Sequence, residues 1–274
     1  MYQDRAVAFS RWNLGITGGH GTKDIWLYDG QKKIDGFAEK QSIAGITVGR
    51  RLFGQSSVAL NISTSQRHYE TLLEFPERVA YQSISLGPTL RWEDSNFHFY
   101  FNEGYTARLT YAKQVARNDH VRSSENVEAF ATSEMNIYSN HALQLQVNAG
   151  SVTAKDERDL IRKGGGRGFR GSPTNGLWLK RYAAFSADYQ IPILQAEYGT
   201  YTVAPFAEYA VVDRWMPNSA EDAKKIEDWF RFGSGGFGTY LFLKQIAIPG
   251  VGLQFGRCSA YLPFFVSFAL GMSF

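Results

Sequence analysis

The chain has a single cysteine, Cys258, so it can form no intrachain disulfide and no thiolate metal cluster. Its five histidines, at 20, 68, 98, 120 and 141, fall at no metal-ligand spacing. No apolar run approaches the ~20 residues that a transmembrane helix needs. Charge of one sign is also missing. Across 274 residues the net charge is +3, too small to indicate nucleic acid as a partner. No charged-then-apolar leader follows Met1. What is abundant is aromatic and glycine content: 15% aromatic residues and 27 glycines, in a chain whose mean hydropathy is −0.29 although 44% of it is hydrophobic. Apolar and polar residues must therefore alternate finely. That composition suits either a soluble β-protein or a β-barrel in a membrane.

The closing segment YLPFFVSFALGMSF decides between these. Leu262, Phe264, Val266, Phe268, Leu270, Met272 and Phe274 are apolar, and the positions between them include Ser267, Ala269, Gly271 and Ser273. This is period-two alternation over a length able to cross a bilayer at a tilt. A soluble sandwich would carry Lys, Glu or Thr on its wet face, whereas here that face is small, as in a curved barrel wall with lipid outside. The same alternation recurs in SSVALNIS, SISLGPTLRW, HALQLQVNAGS and VGLQFGR. In NFHFYFNEGYTARLTY, Glu103 breaks the apolar face and predicts a bulge.

The fold predicted is all-β: an antiparallel transmembrane β-barrel of about 12 strands. The strands lie near 5–17, 41–53, 56–69, 80–92, 97–112, 125–138, 142–153, 177–192, 195–213, 235–244, 248–257 and 260–274. An even count suits a barrel with both ends on one side. FGQ, EDSN, SNH and a link at 193–195 read as short turns. Residues 18–40, 70–79, 113–124, 154–176 and 214–234 read as long loops, with a short helix expected in AEDAKKIEDWF. One barrel domain over 1–274 is the expected organisation.

The most unusual segment is GGGRGFRGSPTNG, 164–176. It lacks the GK[ST] of a phosphate loop. A solvated surface loop is one reading of it. The other comes from the strands that follow. Period two places Leu177, Leu179, Ala183, Phe185, Ala187, Tyr189 and Ile191 on the lipid face, and Lys180, Tyr182, Ser186, Asp188 and Gln190 inside. On the next strand Val203, Ala207, Tyr209 and Val211 face out, which puts Glu208 inside. Two lumenal carboxylates on adjacent strands call for a cation. An arginine on an inward-folded loop supplies a planar fork that stays charged.

The order FRGSP, LWLKRYAAFSADYQIPI, VAPFAEYAVVDRW, GSGGFGTYLFL, FVSFALGMSF over roughly 160–274 resembles the C-terminal part of the BamA/TamA outer-membrane assembly superfamily, the bacterial surface antigen barrels. Members carry a glycine pair, a three-residue spacer and a hydrophobic-Arg-Gly-aromatic core. Here Gly164 and Gly165 precede Gly166-Arg167-Gly168 and then Phe169-Arg170-Gly171. Ser172 stands where the family has an aromatic, and Arg167-Gly168-Phe169 offers a second register. Asp188-Tyr189-Gln190-Ile191-Pro192 and Phe206-Ala207-Glu208 match the family's next two strand motifs with the carboxylate lengths exchanged.

The resemblance implies a lumenal loop in which Arg170 is held by Asp188 and Glu208. It also implies a C-terminal assembly signal formed by Phe268, Leu270, Met272 and Phe274. Family barrels have about sixteen strands, so this chain reads as a short member without POTRA domains. The location implied is the outer membrane of a Gram-negative bacterium. The activity implied is outer-membrane protein insertion or translocation, or lipid remodelling, through a seam between first and last strands near 5–17 and 260–274, where Gly15 and Gly271 would weaken pairing. Implied partners are outer-membrane lipids, unfolded outer-membrane proteins or a periplasmic factor. No cofactor, metal or catalytic residue is expected. A passive solute pore is the alternative, and a lipid-modifying enzyme built around His98, on an inward face near Tyr100 and Asn102, is the remote one. Arg91, Arg108, Glu128, Glu134 and Lys180 read as an ion-paired or solvated lumen, and Cys258 as an inert thiol.

Overall fold

The structure, a computed structural model, describes residues 2–4, 11–29, 32–52, 55–71, 80–98, 101–117, 121–138, 140–154, 159–214, 229–243 and 250–270. These residues hold fourteen strands: β1 (Tyr2–Asp4), β2 (Trp12–Asp29), β3 (Lys32–Arg51), β4 (Ser57–Thr71), β5 (Ala80–His98), β6 (Phe101–Arg117), β7 (Val121–Tyr138), β8 (His141–Val152), β9 (Ile161–Lys163), β10 (Leu177–Ala196), β11 (Gly199–Arg214), β12 (Trp229–Leu243), β13 (Val251–Cys258) and β14 (Phe265–Leu270). Each of the twelve expected strands has its counterpart. The two additions are short: β1, and β9 inside the glycine-rich connection.

All strands form one antiparallel sheet in sequence order, with β9 set off the path beside β10. The sheet curls on itself. Arg162 on β9 reaches Glu39 on β3 at 3.0 Å, although β3 and the β9–β10 pair lie on opposite sides of the strand order. Among the described residues no ladder joins β14 to β1 or β2.

Alternation governs both faces. Leu14, Ile16, Ile46, Val48, Leu60, Ile62, Ile84, Leu86, Val147, Phe185, Val266 and Phe268 are exposed on the outside. A continuous apolar face of this size is stable against lipid and not against water. Exposed Trp12, Trp92, Tyr105, Tyr138, Tyr198 and Tyr201 sit toward the rim of short turns, as aromatic belts do.

The boundaries differ from expectation where both faces of a strand are wet. Residues 18–29 and 32–40 are strand in place of the expected loop: they belong to β2 and β3, paired from Trp12↔Arg50 to Asp29↔Lys32. Beyond the apolar band the outward positions become Gly18, His20 and Thr22, so alternation disappears while pairing persists. For the same reason 113–124 is mostly β6 and β7. EDSN lies within β5, and the 193–195 link lies within β10, whose turn comes at Glu197 and Tyr198. Glu103 pairs with Asn96 in unbroken register, so the expected bulge is absent; Gly104, at φ 129°, takes up the local distortion. Within AEDAKKIEDWF, Trp229 and Phe230 open β12 as strand, and the rest of the expected helix lies outside the described residues.

Leu177 and Leu179 do not face lipid. Both are fully buried, in a cluster with Trp178, Phe169, Ile161, Ile25 and Tyr182. A register irregularity between Leu179 and Arg181 interrupts the alternation there, Trp178 between Leu177 and Leu179 is buried as well, and β9 pairs with this end of β10.

Candidate functional site

The connection between β8 and β10 folds into the lumen. Its path depends on four glycines at positive φ: Gly164 (132°), Gly165 (74°), Gly168 (85°) and Gly171 (76°). At Gly171 a Cβ would also lie 2.6 Å from the Phe265 ring and 2.7 Å from Cys258 Cβ, so the loop runs hard against β13 and β14. Two tight turns shape the crossing, with Phe169 N–H donating to Gly166 C=O at 2.8 Å and Ser172 N–H to Phe169 C=O at 3.2 Å. Ser172 closes the turn by donating its hydroxyl to Phe169 C=O at 2.6 Å. Phe169 is buried edge-on against Tyr182 and tilted against Phe232.

Arg170 is 4% exposed, and its guanidinium divides between two strands. Nη1 lies 2.8 Å from Asp188 Oδ1 on β10, and Nε lies 3.3 Å from Glu208 Oε1 on β11. The Phe206 ring lies beneath it at 4.3 Å. Burial disfavours the cation, but the Asp188 and Glu208 carboxylates more than offset this and raise its pKa, so Arg170 stays charged. Glu208 also accepts from the loop backbone, from Gly168 N–H at 2.8 Å and Arg170 N–H at 2.9 Å, and from the Ser234 hydroxyl on β12 at 2.9 Å. One carboxylate thus fixes both the arginine and the chain that carries it.

Arg167, the alternative register, joins the same cluster. Its Nε lies 3.3 Å from Asp188 Oδ2, and it donates to Gln144 on β8. Both arginines of the loop converge on Asp188.

A second set of anchors holds the leading limb, and sequence reasoning missed most of it. Lys163 reaches Glu128 on β7 at 2.7 Å, and Tyr182 donates to the same carboxylate at 3.0 Å. Arg162 reaches buried Glu39 on β3, which Lys23 on β2 also approaches at 3.6 Å. Asp159 accepts from Tyr81 on β5 and from Gln114 on β6 at 3.0 Å. Lys23, Glu39, Gln114, Glu128, Asp159 and Arg162 line a polar cavity of about 270 Å³. The loop therefore braces the lumen from β2 to β14. The lumenal wall of β3–β6 it leaves partly exposed, where Thr47, Asn61, Thr89 and Thr110 form a hydrogen-bonded ladder.

No protein-family model matches the sequence, and no curated protein matches it. The structure does find a match. BamA from Haemophilus ducreyi, solved without POTRA domains 1–3, superposes with a TM-score of 0.75 over 97% of this chain at 12% identity. The chain has the fold of the BamA barrel. It spans 59% of that BamA chain's length. At this identity the BamA likeness speaks to fold, and the lumenal loop to its own chemistry.

The other expected residues are distributed as follows. Phe268 is exposed on the outer face of β14, and Leu270 pairs with Val251; Met272, Phe274 and Gly271 lie outside the described residues. Cys258 is buried at the end of β13. Arg91 pairs with Glu93 at 2.6 Å, and buried Glu134 accepts from Gln144 at 3.3 Å. The side chains of His98 and Asn102, and Tyr100 as a whole, lie outside the described residues. Among the described residues no group of His, Cys, Asp and Glu is arranged to hold a metal.

Proposed function

We propose that this chain is an outer-membrane barrel, one domain in extent, that assists insertion or translocation of other membrane proteins, or remodels lipid, at the seam between its first and last strands. The role is non-enzymatic. The observation that carries this reading is the loop itself, clamped across the lumen by Arg170, Asp188 and Glu208 and pressed at Gly171 against Phe265 of the last strand. A passive pore has no use for so many anchors, whereas a machine that acts at its wall needs a closed lumen and a supported last strand. Exposed backbone at a sheet edge is a template for an incoming strand. The clients in view are unfolded outer-membrane β-barrels.

The test is kinetic. A urea-denatured outer-membrane barrel is diluted into liposomes with or without the reconstituted protein, and its folding is followed on gels by heat-modifiable mobility. Acceleration of at least ten-fold, lost in Arg170→Ala, is the expected result. Equal rates with and without the protein would remove the insertion reading. The hydroxyl ladder along β3–β6 favours solute passage as a second reading. A large, stable single-channel conductance unchanged by Arg170→Ala would select it.

A further inference from the structure

The outer face changes from apolar to charged at the rim bearing the 153–176 and 215–228 connections. On β10 the outward positions run Phe185, Ala183, Arg181, and on β11 Tyr209, Val211, Asp213. On β12 they run Phe237, Gly235, Gly233, Arg231, and on β13 Leu253, Phe255, Arg257. Four neighbouring strands thus place three arginines and one aspartate just above the lipid-facing band. Arg181 takes the aspartate, with Nε 3.0 Å and Nη2 2.9 Å from Asp213 Oδ2. Arg231 and Arg257 are exposed, and neither forms an ion pair with a described carboxylate.

Two lysines of the same rim are paired. Lys40 on β3 meets Glu70 on β4 at 2.9 Å, and Lys113 on β6 meets Glu125 on β7 at 3.5 Å. On β12 and β13 the exposed Arg231 and Arg257 have no such partner among the described carboxylates. Geometry there is also distinct. Arg257 Nε donates to Pro263 C=O at 3.1 Å, which steadies the guanidinium. Arg257 lines a cavity of about 390 Å³ with Gly233, Ser259, Tyr261 and Pro263. Exposed Phe264 follows Pro263 of its lining, and exposed Trp229 lies on the same rim under Arg181, as aromatic residues do at headgroup depth. Guanidinium groups suit phosphate because their N–H forks match its oxygens and carry full charge.

We propose that Arg231, Arg257 and this cavity bind the phosphate-bearing headgroup of a lipid in the leaflet at the long-loop rim. The site rests on the membrane-barrel reading above, and it fixes a lipid beside the last two strands, where the seam lies. An anionic lipid held there would anchor β12 and β13 against the bilayer while β14 moves.

Native mass spectrometry of the purified protein in a non-ionic detergent tests this, with diphosphoryl lipid A as probe. The expected result is at least ten-fold weaker binding for Arg231→Gln/Arg257→Gln, with Lys40→Gln/Lys113→Gln unchanged. Enzymatically dephosphorylated lipid A should also bind the unaltered protein at least ten-fold more weakly, a comparison that needs no variant to fold. Undiminished binding in the arginine variant, or equal binding of the dephosphorylated lipid, would overturn the site. Displacement of the lipid by millimolar inorganic phosphate would overturn it too, by showing a small-anion site in place of a lipid one. Failure of the barrel reading is separate: the protein would then show no heat-modifiable mobility and no insertion into liposomes.

Discussion

Arg170 is the residue on which the lumen depends. Its charge is buried between Asp188 and Glu208, and truncation leaves both carboxylates without their shared cation. Arg170→Ala should cost about 3–5 kcal/mol, the usual penalty for breaking a buried pair from one side. Arg170→Lys should recover only part of this, because an ammonium cannot divide between two acceptors as a guanidinium does. Urea titration of the heat-modifiable band measures both, and a variant as stable as the parent would contradict the clamp. Gly171→Ala should destabilise by on the order of 2 kcal/mol or more, since it adds backbone strain and overlap with Phe265 together. The two carboxylates were legible in the sequence because period two puts Asp188 and Glu208 inside on adjacent strands; that Arg170 is the cation between them was implied by the resemblance of the loop. The roles of Ser234 and Gln144 were not, since a neutral side chain at an inward position gives no sign of what it will meet.

At the scale of the element, the β8–β10 connection behaves as a brace with two separately fixed ends. Glu208 holds the Gly168 and Arg170 amides, and Glu39, Glu128 and the Tyr81–Gln114 pair hold the leading limb. Hydrogen exchange should therefore divide the loop. In Arg162→Gln/Lys163→Gln the amides of 159–163 should exchange at least ten-fold faster, while those of Gly168 and Arg170 keep their protection. Uniform acceleration through residue 172 would show a single cooperative unit in place of two anchors. The trailing clamp could be read from sequence because its partners lie within about 40 positions and share a repeating strand pattern. The leading limb could not. Arg162 and Glu39 are 123 positions apart, and nothing local marks either as half of a pair. The extended β2–β3 hairpin was hidden for a related reason: water on both faces removes the alternation while the ladder continues.

For the whole molecule, the outer face and the lumen make one argument. Exposed aliphatic and aromatic residues around the sheet require lipid, and the loop closes much of the interior. The twelve longer strands were legible because the bilayer enforces alternation on every crossing strand, Leu14 and Ile16 as much as Val266 and Phe268, whereas the short β1 and β9 were not. Closure was not legible, because no local pattern states which strand pairs with the first. The most direct measurement is photocrosslinking of a stalled outer-membrane barrel client to the reconstituted protein, with a photoreactive phenylalanine analogue at Phe268 on the last strand or at Phe185 in the middle of the wall. A client adduct at 268 and none at 185 is the result expected of a seam that receives an incoming strand. Equal labelling at both positions, or none at 268, would contradict it.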